Sequence, residues 1–406
     1  MPKTAVAGNH GEDIRSDCLV EVKLTLSGGI KIELNSKVER LYGNHIRKLA
    51  GDIFSFFGIR HAKITIQDSG SLDFVLAARI EAAIKQLLDN EKEYLLPILP
   101  GNMEMTYRDR FRFTRLYLPG NTPKLMLNAG VHHPDAVILD LEDSVAPAKK
   151  FESRFLVRNA LRQVNFIHAE RMVRINQLPS GLEDLEYIIP HHVHVILIPK
   201  TENAEQVKQV ESKIVSLKEK NKMDNQVYLM PILESALGIE HAYQIATAST
   251  DVAAMAIGLE DYTADIGVKR TQEGQESLYA RMRIVNACKA AGIQPIDSVY
   301  SDVSDLEGLR ETVYRSKAIG FEGMGCIHPR QISVIQECFR PDAQEIESAI
   351  KIVLAYEAAE AKGLGVVSMG SKMIDKPVVK RSQATVNLAE KLKILGKNWR
   401  DQYENN

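Results

Sequence analysis

The hydrophobic pattern changes character near residue 89. Before it, Val20, Val22, Leu24 and Leu26 alternate with polar residues, and Ile30, Ile32 and Leu34 do so again. Such period-2 alternation marks half-buried strands. Gly28-Gly29 between the two runs predicts a hairpin. Helical spacing follows at Ile46, Leu49, Ile53 and Phe57 and ends at Gly58. A third strand comes next over 62–66, then a turn at Asp68-Ser69-Gly70 and an Ala-rich helix over 72–88. The order β-β-α-β-α describes a small α+β domain at 16–88, with one sheet face for two helices to cover. It contains no nucleophile constellation and no phosphate loop; taken alone it reads as a carrier or interaction module. Residues 1–15 read as a flexible N-terminus, and 89–112, broken by Pro97 and Pro100-Gly101, as a partly ordered linker.

Beyond residue 113 the apolar runs become continuous. Candidate strands lie at 115–118, 136–140, 171–175, 195–199, 227–233, 253–258, 295–300 and 321–326, separated by helical segments such as 203–220, 278–291 and 305–319. Strands buried on both faces read this way. Eight of them over 113–345 predict an α/β fold, a (β/α)8 TIM barrel, whose usual length is about 250 residues. An open doubly wound sheet is the runner-up, but Pro119-Gly120-Asn121-Thr122-Pro123 is not its glycine-rich phosphate turn. Residues 346–406 form a C-terminal helical and lid region, with a Gly-flanked loop at 363–370.

The runs also end in charge. The first enters Asp140-Leu141-Glu142-Asp143, the next Arg174, the next Pro199-Lys200, and two more reach Glu234 and Glu260-Asp261. In a barrel the loops beyond the carboxyl ends of the strands collect the chemistry. Five such ends in succession point to one polar, metal-binding site. Glu234 and Asp261 are the sharpest pair, since two hard oxygen ligands completed by water and substrate suit Mg²⁺. By spacing alone they also fit helix caps or salt-bridge partners. Arg174 can clamp a substrate carboxylate through two parallel bonds, or merely neutralise the acidic rim. Asp140, Glu142 and Asp143 are too many carboxylates for one ion, so some of them orient water, cap a helix or pair with Arg174. Lys200 suits a phosphate or an acidic substrate.

Composition narrows the field. With 45% hydrophobic and 26% charged residues the chain reads as a soluble globular protein. A net charge of −2 gives no whole-chain reason to expect nucleic acid. The cysteines Cys18, Cys288, Cys326 and Cys338 lack metal or redox spacing. His132-His133 and His191-His192-His194 lack the accompanying pattern of a zinc site. With no signal core and no membrane-length apolar run, the expectation is a cytoplasmic protein that binds neither membrane nor nucleic acid.

Several segments together resemble the citrate lyase β-subunit family, the citryl/malyl/citramalyl thioester lyases of the HpcH/HpaI aldolase superfamily. They are 116–124 (LYLPGNTPK), 137–145 (VILDLEDSV), 173–176 (VRIN), 197–200, 232–236, 258–262, 325–332 (GCIHPRQI) and 373–377 (MIDKP). They run in family order over about 113–390. Separately, Ser16-Asp17, 43–47 (GNHIR) and 70–79 (GSLDFVLAAR) resemble the acyl carrier protein of citrate lyase.

The resemblance implies a Mg²⁺-dependent retro-Claisen lyase. It would split a citryl-, citramalyl- or malyl-type CoA thioester into a 2-oxo acid and an acetyl-type thioester. Glu234 and Asp261 match the metal ligands, Arg174 the arginine that holds the oxo acid, and Asp375 a lid aspartate that acts in enolate proton transfer. Glu142, Asp143 and Lys200 join the substrate-binding set. The Asp375 match implies a homotrimer or larger homo-oligomer, and the family leaves room for a citrate-lyase-type α subunit. Two departures stand out. Arg15 occupies the place of the carrier serine that bears the prosthetic arm, which leaves Ser16 as the alternative attachment point. The Arg-Ser pair usual before the first barrel strand is Phe113-Thr114, which leaves Arg112 for the phosphate or adenine contacts. Both departures favour free CoA over a carrier-bound acyl group. The alternatives are citrate lyase chemistry on an acyl group carried by Ser16, and a non-catalytic carrier or assembly subunit.

Overall fold

A computed structural model describes residues 4–361, 363, 367–369, 372–396 and 398–403. They form two units, 1–335 and 336–406.

The first unit opens with a four-stranded sheet of order β1-β2-β4-β3: β1 Thr4–Gly8, β2 Cys18–Leu24, β3 Ile30–Ser36 and β4 Ala62–Asp68. Two sequence expectations are corrected here. Thr4–Gly8 is not part of a flexible terminus but an antiparallel strand on β2. The two alternating runs are not a hairpin, because β4 lies between them, antiparallel to β2 and parallel to β3. The physical reason is burial: β4 brings Ala62, Ile64 and Ile66 to the covered face, and a central position buries them fully. Gly28 and Gly29, both at positive φ, turn the chain across that gap instead of closing a two-residue turn.

Helices α1 Glu39–Phe56 and α2 Asp73–Leu87 cover the sheet. Of the two, α2 is buried almost all round, because its far side packs on the barrel helix Lys150–Gln163. Charges stitch this contact. Arg79 forks onto Asp17 (3.0 and 2.9 Å) and reaches Glu152 at 3.2 Å. Arg158 holds Glu81 (3.1 and 2.5 Å) and Glu93 (3.0 Å), and Asn159 donates to the Phe74 carbonyl. Gly8 N donates to Glu152 in the same place. Gly8 has φ +94°, and a Cβ there would lie 1.9 Å from the Cys18 carbonyl oxygen, so only glycine fits.

The barrel follows: β5 Thr114–Pro119, β6 Ala136–Asp140, β7 Glu170–Arg174, β8 Val195–Ile198, β9 Tyr228–Leu233, β10 Ala254–Ile257, β11 Gln294–Ile296 and β12 Met324–Cys326. The order β11-β10-β9-β8-β7-β6-β5-β12 is parallel where paired. Asp297 closes the ring through a parallel bridge to Met324, with Asp297 N donating to Gly323 O at 2.8 Å. Alternate residues fill the interior, among them Ile138, Met172, Leu197, Met230, Ile232, Ala256 and Ile296, with Tyr117 and Tyr228 against them. The fold is the expected (β/α)8 barrel.

In the second unit, the helices Ala343–Glu360 and Lys376–Lys391 pack through Ile346, Ile350, Val353, Val386, Ala389 and Trp399. A short antiparallel pair, β13 Val367–Met369 and β14 Lys372–Ile374, connects them. The division at 335/336 falls before the expected 345, and the helix that crosses 345, Ala343–Glu360, starts at a capping box of Asp342 and Glu345. No helix among the described residues is long and apolar enough to cross a membrane.

Candidate active site

The strand-end charges meet at the carboxyl rim of the barrel. In register, the last residue of β6, Asp140, lies beside the last of β7, Arg174. Arg174 Nε and Nη2 donate to the two Asp140 oxygens at 2.6 and 2.7 Å, and Nη1 lies 2.9 Å from Glu142 Oε2. Asp140 also accepts from Glu142 N and Ser144 N, which folds the following loop over the rim. Burial alone would raise Asp140, but the Arg174 bonds hold it below the usual carboxylate range. Glu142 has a weaker set of partners, Arg174 and Gln177, so burial wins and its pKa is raised.

Lys200 follows β8 in the left-handed conformation, φ 47°. That turn aims its backbone N–H at Glu234 Oε2 (2.8 Å) and its ammonium among three carboxylates: Asp261 at 3.5, Glu142 at 3.7 and Asp143 at 3.9 Å. Glu234 is buried against Gly258, where a Cβ would lie 2.4 Å from its Oε1. Burial, with Glu142 and Asp261 nearby, pushes the Glu234 carboxyl up to about 7. Asp261 is half-exposed, on the short helix Leu259–Asp265 after β10. Asp140, Arg174, Glu234 and Asp261 line one cavity of about 230 Å³ with Arg115, Tyr117 and Ser298.

Five carboxylates thus face two cations. The ammonium lies 3.5–3.9 Å from three of them and satisfies none at close range. Hard oxygen donors in excess suit a divalent ion, which Glu234 and Asp261 could hold with water or substrate completing its shell. No group of three or more His, Cys, Asp or Glu side chains among the described residues makes a complete cage.

Arg174, Glu142, Asp143, Lys200, Glu234 and Asp261 are therefore brought together. Arg174 is less free than the sequence implied, since Asp140 occupies its Nε–Nη2 fork and only the Nη1 edge faces Glu142. Arg112 is a correction. It lies before β5, at the amino-terminal rim, fully buried, and its guanidinium is spent on Glu170 (2.7 and 2.8 Å) and Gln294. A cation with a buried carboxylate partner there has no path to a substrate at the opposite rim. Ser16 is half-buried in a left-handed turn, φ 58°, with Arg15 exposed beside it. Its neighbour Asp17 is tied through Arg79 to the Asn121 carbonyl, in the loop after β5. Asp375 belongs to the second unit, where its carboxylate caps the helix Lys376–Lys391. Sequence reasoning missed Arg115 and Gly258. The available signal for Arg115 was a charge sharing the inward parity of Tyr117; for Gly258 it was a glycine between a strand and the Asp261 helix.

Known proteins are similar to this chain in sequence and fold. The family model "HpcH/HpaI aldolase/citrate lyase" matches residues 114–329, and that of the malonate decarboxylase delta subunit (MdcD) matches 2–87. Citrate lyase subunit beta of Leuconostoc mesenteroides subsp. cremoris is 38% identical over 284 residues, 69% of this chain and 94% of that protein. Human mitochondrial citramalyl-CoA lyase is 34% identical over 290 residues, 68% of this chain and 85% of that protein. Among solved structures, CitE of Mycobacterium tuberculosis in complex with magnesium, acetoacetate and coenzyme A superposes with a TM-score of 0.59 at 27% identity, covering 70% of this chain and 100% of that one. The barrel, the strand-end carboxylates and these matches agree: the chain belongs to the HpcH/HpaI aldolase/citrate lyase family.

Proposed function

We propose that the protein is a Mg²⁺-dependent carbon–carbon lyase that cleaves a 3-hydroxy acyl-CoA thioester into a 2-oxo acid and an acetyl-type thioester. The observation that carries this reading is the under-neutralised cluster of Glu142, Asp143 and Asp261 around the Lys200 ammonium, with Glu234 on the Lys200 N–H and Glu234 and Asp261 in the same cavity as Arg174. Relatives in the family are named citrate lyase subunit beta, citramalyl-CoA lyase and L-malyl-CoA/beta-methylmalyl-CoA lyase. Glu234 and Asp261 would hold the ion, which when bound would supply Lewis acidity to the oxygen that becomes the ketone. Arg174 orients the oxo-acid carboxylate from its Nη1 edge while Asp140 fixes the guanidinium plane. Lys200 restrains Asp261 and Glu142 and gives way as the site fills. The carbinol proton passes to a rim carboxylate, and the freed O–H electrons form the C=O of the oxo acid. The electrons of the broken C–C bond pass to the acetyl carbon as an enolate, which takes up a proton in a transfer assigned to Asp375 by family resemblance. In that scheme the lid serves a homotrimer or larger homo-oligomer.

The test is direct. Purified protein is assayed for Mg²⁺-dependent cleavage of citryl-CoA, citramalyl-CoA and malyl-CoA, with the 2-oxo acid quantified. Turnover unaffected by EDTA, or none with all three, rejects the reading. Delivery of the acyl group on Ser16 is the second reading, favoured by the tie from Asp17 through Arg79 to the loop after β5. Arg15, standing where the carrier family loads its serine, weighs against it.

A further inference from the structure

Below the carboxylate rim the barrel holds a cation that the chemistry above does not use. Arg115 is the second residue of β5, two before Tyr117, so the pleat turns both inward. It is 1% exposed. Among the described residues, its Nη1 meets only the Met230 thioether sulfur (3.1 Å), Nη2 reaches the Asp297 carbonyl at a long 3.5 Å, and Nε has no partner. None of these is an anion. The nearby Asp297 carboxylate is turned away to Arg281, to the Ser316 hydroxyl and to Ser298 N. The Asp140 carboxylate is taken by Arg174. Burial accordingly pushes the Arg115 pKa down, the direction expected for a cation removed from water without a counter-ion. A guanidinium held this way is costly in the empty protein. Yet it borders the same cavity of about 230 Å³ as Arg174 and Glu234.

We propose that Arg115 is an anion anchor at the floor of the active-site cavity, selecting thioesters whose oxo-acid half carries a second carboxylate. The inference rests on the lyase reading above and deepens it. The carboxylate adjacent to the carbinol carbon belongs at the rim, with Arg174. The other substituent on that carbon has to be accommodated elsewhere in the cavity. With hydrogen or methyl there, Arg115 stays unpaired. With a carboxymethyl group, the N–H donors of Arg115 gain a charged acceptor in a buried position. The preferred product is then a four-carbon dicarboxylic oxo acid, oxaloacetate, over pyruvate or glyoxylate.

The experiment measures, with full-length protein and Mg²⁺, the calorimetric affinities for oxaloacetate and pyruvate, and kcat/KM for citryl-CoA and citramalyl-CoA, in wild type and Arg115→Met. Wild type should prefer the dicarboxylate. Arg115→Met should cut the oxaloacetate-to-pyruvate affinity ratio about 30-fold or more, the range for removing one partner of a buried charge pair, and should lower the thioester ratio in parallel. Its thermal stability without ligand should be equal or higher, because an unpaired buried charge has been replaced by a methionine of suitable size among apolar neighbours. Equal wild-type affinities, which need no variant, overturn the proposal. So does an unchanged ratio in Arg115→Met accompanied by a lowered melting temperature, which marks a structural arginine. If no thioester is cleaved but the affinity ratio collapses as expected, the lyase reading fails and the anchor stands. If both thioesters are cleaved with a ratio the variant does not alter, the anchor fails and the lyase reading stands.

Discussion

Two clusters of arginine and carboxylate lie in the first unit, one under the N-terminal module and one at the barrel rim. Under the module every acid closes on a guanidinium at hydrogen-bond distance: Asp17 and Glu152 on Arg79, Glu81 and Glu93 on Arg158. At the rim only Asp140 and Glu142 do so, on Arg174, while Lys200 hovers at 3.5–3.9 Å from three acids and Glu234 is pushed up to about 7. The difference separates charge used to fix a position from charge kept open for a ligand. A closed network gives the module one docking geometry on the barrel; an open one leaves oxygen donors available to a cation and its substrate, as proposed above. Removing a group from each should therefore damage different properties.

The largest effect is expected at the open cluster. Glu234→Gln should lower thioester cleavage about 1,000-fold, roughly 4 kcal/mol of barrier, by removing one of the two proposed protein ligands to the ion. The melting temperature should hold or rise, since a buried carboxylate is gone. Asp261→Asn should follow with a smaller loss, because that residue is half-exposed. Mg²⁺ titration beside the activity assay decides: full turnover by Glu234→Gln at low micromolar Mg²⁺ removes Glu234 from the metal site.

The closed cluster should respond in the opposite sense. Arg79→Met leaves Asp17 and Glu152 buried without a guanidinium, and breaking a buried pair costs about 3–5 kcal/mol of stability. Cleavage per folded molecule should change little. Urea unfolding followed by the far-UV signal measures the loss; a shift below about 1 kcal/mol, the range of exposed pairs, means that the network does not hold the module in place.

Arg174 bridges the two styles, with Asp140 closing its fork and Nη1 facing the cavity. Arg174→Lys keeps the charge but loses the planar fork, so kcat/KM should fall by about 2–4 kcal/mol. Steady-state kinetics at saturating Mg²⁺ check it, and a wild-type kcat/KM places Arg174 outside the substrate's reach.

What the sequence disclosed follows the same division. The barrel was legible because eight apolar runs, each buried on both faces, can hardly be anything else, and their terminal charges mark which rim carries chemistry. Pairing in the N-terminal sheet was not: alternation gives each strand's faces but not its neighbour, so β4 between β2 and β3 stayed hidden behind a plausible hairpin. Arg112 misled for a related reason. A cation just before a strand and one just after it look alike in sequence, yet they lie at opposite rims, and only the structure shows Arg112 closed on Glu170. Arg115 escaped because inward parity is visible along a strand while the lack of a counter-ion is a property of seven other strands.

The smallest effect is expected where the carrier-like module departs most from a working carrier. Ser16→Ala should leave cleavage of a free CoA thioester unchanged, and Ser16 should carry no prosthetic arm. The hydroxyl sits on a half-buried turn that is held through backbone contacts, with Ser16 N donating to the Ser69 carbonyl at 3.0 Å. Alanine keeps the Cβ, so the left-handed backbone at φ 58° is no more strained than before. Removing residues 1–88 should act differently: it takes Glu81 from Arg158 and the Phe74 carbonyl from Asn159 and exposes the apolar face under α2, so assembly or stability suffers before chemistry does. The decisive measurement is the mass of the Ser16 peptide from protein made in its own organism, where any loading enzyme is present. A phosphoribosyl-dephospho-CoA adduct on that peptide transfers Ser16 from the fixed, closed part of the molecule to its working part, and the comparison between the two clusters must then be redrawn with the module as a substrate carrier.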